Sequence, residues 1–207
     1  MVIRRSFGFC ASHIVRNCTS RRCAGSLHGH NYKVEIFVSA DSFDSAGMVL
    51  DFGIFKNQIA DFIDGFDHAH HFWDKESLDF TEFVAKHSAR YVKLSLNPSA
   101  ENYALLILFY VDKIFQAMEF GNSEGNIWVE SVRVHETDHG YAEAFKQDLS
   151  NPNFMKYIHL DCVWFSDEIR SEWKNPLMLE DLKKYHQNPL KKPFKNLIPP
   201  HQIKIQC

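Results

Sequence analysis

The hydrophobic pattern of this chain opens on a strand. Along Val2 to His13, the residues Phe7, Phe9, Ala11 and His13 share one parity, so one face is apolar until a histidine ends it. Alternation stops there, and residues 14–27 show neither a period of two nor one of 3.6. A connection that long inside a compact domain is usually functional. Asn31 to Ala40 alternates again and predicts a second strand, preceded by His28-Gly29-His30, whose imidazoles point to one face because strand side chains alternate. Antiparallel pairing of the two strands would bring His13 to the end of the hairpin that carries His28 and His30.

Further on, Phe55, Ile59, Phe62, Ile63 and Phe66 have helical spacing and predict a first helix over 52–66, running into Asp67-His68-Ala69-His70-His71. Residues 72–95 mix charged and apolar positions without a period. Ser99 suits a helix N-cap ahead of the apolar run Tyr103 to Met118, which predicts a long second helix. Ile127–Val134 and Tyr141–Phe145 flank a turn containing Gly140 and predict a second hairpin. From Asn151 the texture changes. Ser166–Trp173 reads as a short helix, and 175–207, which holds five of the seven prolines interspersed with lysines, reads as an extended tail. The order is β-β-α-α-β-β, an α+β domain over 1–150 followed by an extension over 151–207.

Composition narrows the function classes. A net charge of −3 gives no overall basic field for nucleic acid or an anionic membrane. No run approaches the roughly 18 apolar residues of a membrane span, and Met1 to Phe7 lacks the apolar core of a secretory signal. Five cysteines without a framework-like spacing fit free thiols in a reducing compartment, so a cytoplasmic protein is expected. Eighteen Phe, seven Tyr and four Trp fit a large core or an oligomeric interface.

The chemistry gathers around the histidines. His13, His28 and His30 make a three-histidine set with an open fourth position, the arrangement of catalytic zinc. Cys18 and Cys23 with His28 and His30 would instead close a structural site, as in a non-catalytic binding module. Cys23 sits beside Arg21 and Arg22, and positive surroundings favour a thiolate that can act as base or nucleophile. Asp67 can orient His68 for proton transfer, with His70 and His71 as rivals. Glu136, at a strand end, and Glu101, at a helix start, are carboxylates able to accept two hydrogen bonds from an amidine-like edge.

In six blocks the chain resembles the family of 6-pyruvoyltetrahydropterin and 6-carboxytetrahydropterin synthases: Phe9-Cys-Ala-Ser-His13, His28-Gly-His-Asn-Tyr32, Gly47-Met-Val-Leu-Asp-Phe52, Phe66-Asp-His68, Asn97-Pro-Ser-Ala-Glu-Asn102 and Val134-His-Glu-Thr137. The resemblance spans roughly residues 1–147 and implies a four-stranded antiparallel sheet with two helices on one face, the tunnelling or T-fold. It also implies trimers closing into barrels and pairing into hexamers, with sites at subunit interfaces. It gives His13, His28 and His30 as zinc ligands, Cys23 as the proton-abstracting thiolate, Asp67 and His68 as a proton relay, and Glu136 as the anchor of a pterin's aminopyrimidine edge. Glu101 is a further substrate-pocket candidate, and Arg21 and Arg22 are candidate partners of a triphosphate. The implied reaction converts 7,8-dihydroneopterin triphosphate to 6-carboxytetrahydropterin, acetaldehyde and triphosphate in queuosine biosynthesis; the alternative is the 6-pyruvoyl product of biopterin synthesis. Four residues separate Cys23 from His28, between the spacings of those two branches, and Cys18 is the alternative thiol.

Overall fold

A computed structural model describes residues 1–196; the last part of the expected tail, 197–207, lies outside the described residues. In chain order the elements are β1 (Val2–His13), α1 (Arg21–Gly25), β2 (His28–Ala40), α2 (Gln58–Asp64), β3 (Ala69–Trp73), α3 (Leu78–His87), β4 (Tyr91–Leu94) and α4 (Ala100–Gln116). They continue as β5 (Met118–Glu119), β6 (Ile127–Thr137), β7 (Gly140–Phe145), β8 (Val163–Phe165), α5 (Asp167–Glu172), α6 (Met178–Gln187) and β9 (Phe194–Lys195).

Both expected hairpins form. β1 pairs antiparallel with β2 from Val2↔Ser39 to His13↔His28, and β6 pairs antiparallel with β2 and β7. The sheet does not stop at the four strands expected of it. Its order is β7-β6-β2-β1-β3-β4-β8, seven strands, because β3 joins β1 in parallel at Ala11–His13, β4 follows β3, and β8 closes antiparallel on β4. β1 from Val2 to Phe9 and the outer side of β7 therefore keep edges that no described strand covers.

α4 begins where the sequence predicts, with the Ser99 hydroxyl accepting from Asn102 N. Tyr103, Leu106, Ile107, Leu108, Tyr110 and Val111 are all fully buried, more than one helical stripe, because the sheet lies on one side and the extension crosses the other. Tyr110 Oη donates to the carbonyl of Leu160 in that crossing segment at 2.9 Å. The predicted helix over 52–66 is broken. A 3-10 turn over Phe52–Lys56, started by the Asp51 carboxylate on Gly53 N at 2.6 Å, meets α2 at Asn57, whose φ of −112° and ψ of −114° are not helical. Its apolar residues still reach the core, since Phe55, Ile59, Phe62 and Ile63 are buried.

Two further corrections concern stretches read as irregular. Residues 72–95 hold the end of β3, then α3 and β4; Ala69 to Phe72 is buried on both faces, so no alternation marks the strand. Within 175–196 the expected extended tail contains α6 and β9. Met178, Leu179 and Leu182 of α6 are buried, and β9 pairs in parallel with β5. The extension also delivers Phe165, Ile169, Trp173 and Phe194 into the same apolar cluster as the hairpins and α4.

Candidate active site

The register of the first hairpin builds the histidine cluster. His13 stands opposite His28, and Ala11 opposite His30, so the three rings share one face at one end of the sheet. Their ligand nitrogens all lie within 4.8 Å of one another, and the ring centroids are 4.5, 5.3 and 5.2 Å apart. Gly29 is required between the two histidines of β2, because a Cβ there would stand 2.7 Å from the Ala11 carbonyl oxygen.

The protein fixes the rings by their outer nitrogens. His13 Nδ1 donates to the Pro98 carbonyl at 2.6 Å and His28 Nδ1 to the Ser26 carbonyl at 2.9 Å, which leaves each Nε2 with a free lone pair. Burial pushes the His13 pKa down to about 4; the Pro98 carbonyl opposes this, and the neighbouring His28 and His30 add to it. At neutral pH His13 is therefore an uncharged imidazole, the form that binds a metal. Three converging imidazoles, two of them with Nε2 left free in this way, fit a zinc-like cation with a vacant coordination position. Among the described residues this is the single His/Cys/Asp/Glu group with metal-ligand spacing, and it contains no cysteine. Cys18 Sγ donates to the Ser20 carbonyl at 3.2 Å instead.

Glu136 and Tyr32 border the cluster. Glu136 Oε1 lies 3.8 Å from His13 Nε2 and 3.9 Å from His30 Nε2, and it accepts from Tyr32 Oη at 3.3 Å. Burial, with Tyr103, Glu136 and Cys23 nearby, drives the Tyr32 pKa upward, so the phenol stays protonated and donates. Tyr32 is a site residue to which sequence reasoning gave no role. It follows His28 and His30 at the same parity, and that was the available signal.

Cys23 is half-buried on α1, near enough to Tyr32 to act on its phenol. Its loop is folded back on itself: Val15 N donates to the Cys23 carbonyl at 3.0 Å. Arg16 adds a forked pair to Glu76 at 2.6 and 2.9 Å and a bond to the Ala24 carbonyl at 3.2 Å. Glu76 belongs to the stretch without a period, where one acid among many gave no signal. Arg21 and Arg22 are exposed on α1.

Asp67 and His68 pair, with His68 Nδ1 donating to Asp67 Oδ2 at 2.7 Å, but elsewhere in the subunit. They sit on the outer edge of β1, where Cys10 N donates to Asp67 Oδ1 at 2.6 Å and His68 N to the Cys10 carbonyl at 2.7 Å. Burial raises the Asp67 pKa, but the Cys10 amide and His68 outweigh it and hold the carboxyl below the usual range. The exposed His68 ring lines a cavity of about 510 Å³ with Cys10, Ser12 and His70. Cys10 and Ser12 have the opposite parity to Ala11 and His13, yet Gly29 and His30 also border that cavity, so it runs along the β1–β2 edge beside the histidine cluster. His70 and His71 differ from the exposed His68 in setting. Both are buried, His70 against the Ser12 hydroxyl at 2.9 Å and His71 between Tyr103 Oη and the Phe66 carbonyl. Glu101, in the first turn of α4, lines a separate cavity of about 640 Å³ walled in part by Phe154 and Tyr157 of the extension.

The family model described as 6-pyruvoyl tetrahydropterin synthase matches residues 2–147. The chain belongs to this family. Members are tetrahydropterin synthases, lyase-type enzymes, and every candidate site residue from His13 to Glu136 falls inside the matched region. A relative from Helicobacter pylori strain J99, named 6-carboxy-5,6,7,8-tetrahydropterin synthase, is 56% identical over 173 residues, covering 84% of this chain and 86% of the relative. That match is longer than the family region, so part of the extension is shared. A relative of the same name from Rickettsia typhi is 35% identical over 120 residues, 56% of this chain and 81% of its own. An uncharacterised protein from Wolinella succinogenes, known by crystal structure, has the same fold, with a TM-score of 0.57 at 21% identity over 70% of this chain and 98% of that one. Among the described residues, no helix is long and apolar enough to cross a membrane.

Proposed function

We propose that this member of the family is a zinc-dependent 6-carboxy-5,6,7,8-tetrahydropterin synthase. It would convert 7,8-dihydroneopterin triphosphate and water to 6-carboxytetrahydropterin, acetaldehyde and triphosphate for queuosine (7-deazapurine) synthesis in the cytoplasm. The observation that carries this reading is 56% identity, across most of both chains, to the Helicobacter pylori relative of that name. The three-imidazole cluster beside Glu136 supports it chemically.

In this reading His13, His28 and His30 hold the zinc, which when bound supplies a Lewis acid for the hydroxyls of the substrate side chain. Glu136, steadied by the Tyr32 hydroxyl, accepts hydrogen bonds from the aminopyrimidine edge and fixes the pterin beside the cluster. The Cys23 thiolate removes a carbon-bound proton. Asp67 keeps the His68 ring oriented while His68 passes a second proton. The dyad is bonded to Cys10 at the open edge of β1 and makes no hydrogen bond to the histidine cluster, so in this reading it serves the cluster of a neighbouring copy. The uncovered edges of β1 and β7 support such an assembly, a trimer or hexamer formed by edge pairing. Arg21 and Arg22 are free to meet the triphosphate, and Glu101 is a candidate for the outer pocket.

Product analysis of the purified protein with 7,8-dihydroneopterin triphosphate tests the proposal. Formation of 6-carboxytetrahydropterin and acetaldehyde, lost on chelation or in His13→Ala, is the expected result. The 6-pyruvoyl product would move the chain to the sister activity, and no turnover by metal-loaded protein refutes the enzyme reading. X-ray absorption should show nitrogen and oxygen ligands without sulfur; two thiolates would indicate the structural module instead.

A further inference from the structure

The turn carrying Asp67 and His68 is held by residues that lie beyond the family's four strands. Arg90, between α3 and β4, is the centre of this hold. Its Nε donates to the Asp67 carbonyl and its Nη2 to the Asp64 carbonyl, both at 2.9 Å, while its Nη1 pairs with the carboxylate of Glu172 at the end of α5. The fork thus ties the last turn of α2 to the dyad and both of them to the extension. The Arg90 side chain is 17% exposed and Glu172 47%, so the carboxylate reaches in from the surface to a largely enclosed guanidinium.

Other groups of the extension grip the same segment. Lys174 N donates to Asp61 Oδ2 at 3.0 Å, and Lys174 Nζ donates to the Lys56 carbonyl at 2.6 Å and Asn57 Oδ1 at 3.0 Å. Gly65 lies so close beneath the extension that a Cβ would stand 2.8 Å from the Phe165 ring and 3.2 Å from Trp173. The gripped turn is an unfavourable one. His68 has a φ of +51°, in the left-handed region that non-glycine residues seldom adopt, and such backbone persists where surrounding structure over-determines it.

We infer that the C-terminal extension is a positioning clamp for the Asp67–His68 dyad, with Arg90 as the keystone and Glu172 as the anchor that holds it. The inference rests on the reading above that the dyad transfers protons. Arginine is needed because three acceptors in different directions are met by one planar fork; a lysine ammonium, a point charge on a flexible stem, cannot hold all three in that geometry. Arg90 and Glu172 touch no reacting atom. They act through the angle at which His68 is presented, and misplacement of a catalytic group by about 1 Å can cost on the order of 100-fold in rate.

The test uses the full-length, zinc-loaded oligomer with Arg90→Lys, Glu172→Gln and the double variant, alongside His68→Ala. In Arg90→Lys the kcat should fall at least about tenfold, with KM within about twofold of wild type and zinc stoichiometry unchanged. Glu172→Gln should give a smaller fall of about threefold, and the double variant should be no slower than Arg90→Lys, since both break one device. Amide hydrogen exchange across residues 64–70 should quicken in both single variants while the β1–β2 hairpin stays protected. Wild-type kcat in Arg90→Lys, unchanged exchange over 64–70, or a joint loss of zinc and rise in KM would each overturn the clamp. Full turnover in His68→Ala, or none in the wild type, would instead refute the catalytic reading, and the exchange measurement would still decide whether the clamp exists.

Discussion

His71 gives the sharpest test of the physical reasoning, because its role is structural and its pH signature is distinctive. The ring is fully buried in β3. Nε2 faces the Phe66 carbonyl at 2.9 Å, which can only accept, so Nε2 carries the hydrogen and Nδ1 accepts from Tyr103 Oη at 2.6 Å. Burial holds the His71 pKa at about 3 against an ordinary 6.5, opposed by the Phe66 carbonyl and aided by His70 and His13. Below pH 6.5 the unfolded chain takes up a proton that the folded chain refuses, so stability falls as pH falls through this window. At about 1.4 kcal/mol per unit below the unfolded pKa, lowering the pH from 7.5 to 4.5 should remove about 3 kcal/mol through this residue. In His71→Gln the side-chain amide can still donate to Phe66, but Tyr103 loses its acceptor, a cost of about 1–3 kcal/mol that does not depend on pH. The wild type should therefore be the more stable protein at pH 7.5 and lose that advantage by pH 4.5. Urea unfolding at fixed protein concentration, with chelator present, measures the difference. His13 and His70, each held at about 4 chiefly by burial, titrate in both proteins and cancel. A difference that stays constant within about 0.5 kcal/mol across that range would refute the assignment.

Two further predictions concern the site itself. Cys23→Ser should lower kcat by about 100-fold or more while zinc content stays at wild-type level, whereas Cys18→Ser should keep most of the activity; the opposite outcome assigns the base to Cys18. Gly29→Ala forces β1 and β2 apart at the ligand pair, and zinc affinity measured by chelator competition should fall about tenfold or more, with no fall refuting the close-approach argument.

The histidine cluster was legible because it is local. One hairpin with one core-facing parity fixes His13, His28 and His30, and pairing by period two is the most readable pattern a chain carries. Tyr32 was on that same parity and was given no role, though its hydroxyl bonds Glu136. The Asp67–His68 dyad was legible only as a pair of neighbours. Nothing in Asp67-His68 says that Cys10 holds it at the edge of β1. β3 escaped notice because burial on both faces erases alternation, and α3 because Leu78 and Phe83 are exposed where an amphipathic helix would carry polar residues. In α6 the apolar positions Met178, Leu179 and Leu182 are a sufficient signal, masked by prolines at 176, 189 and 193 that flank the helix rather than interrupt it.

That misreading matters for how the extension is tested. A tail can be cut away, but a segment that covers a core cannot. Phe165, Ile169, Trp173, Met178, Leu182 and Phe194 are all buried in the cluster that includes α4. Six such side chains are worth roughly 9–18 kcal/mol at the usual 1.5–3 kcal/mol each. That exceeds or matches the roughly 5–15 kcal/mol by which a whole domain is stable. A chain truncated after residue 150 should therefore be insoluble, or should bind a hydrophobic dye and unfold without a cooperative transition. A soluble 1–150 fragment with a sharp unfolding transition would contradict this and make the extension an independent unit. On the present geometry, truncation would destroy the fold along with the clamp, and single changes at Arg90 and Glu172 are the means of separating the two.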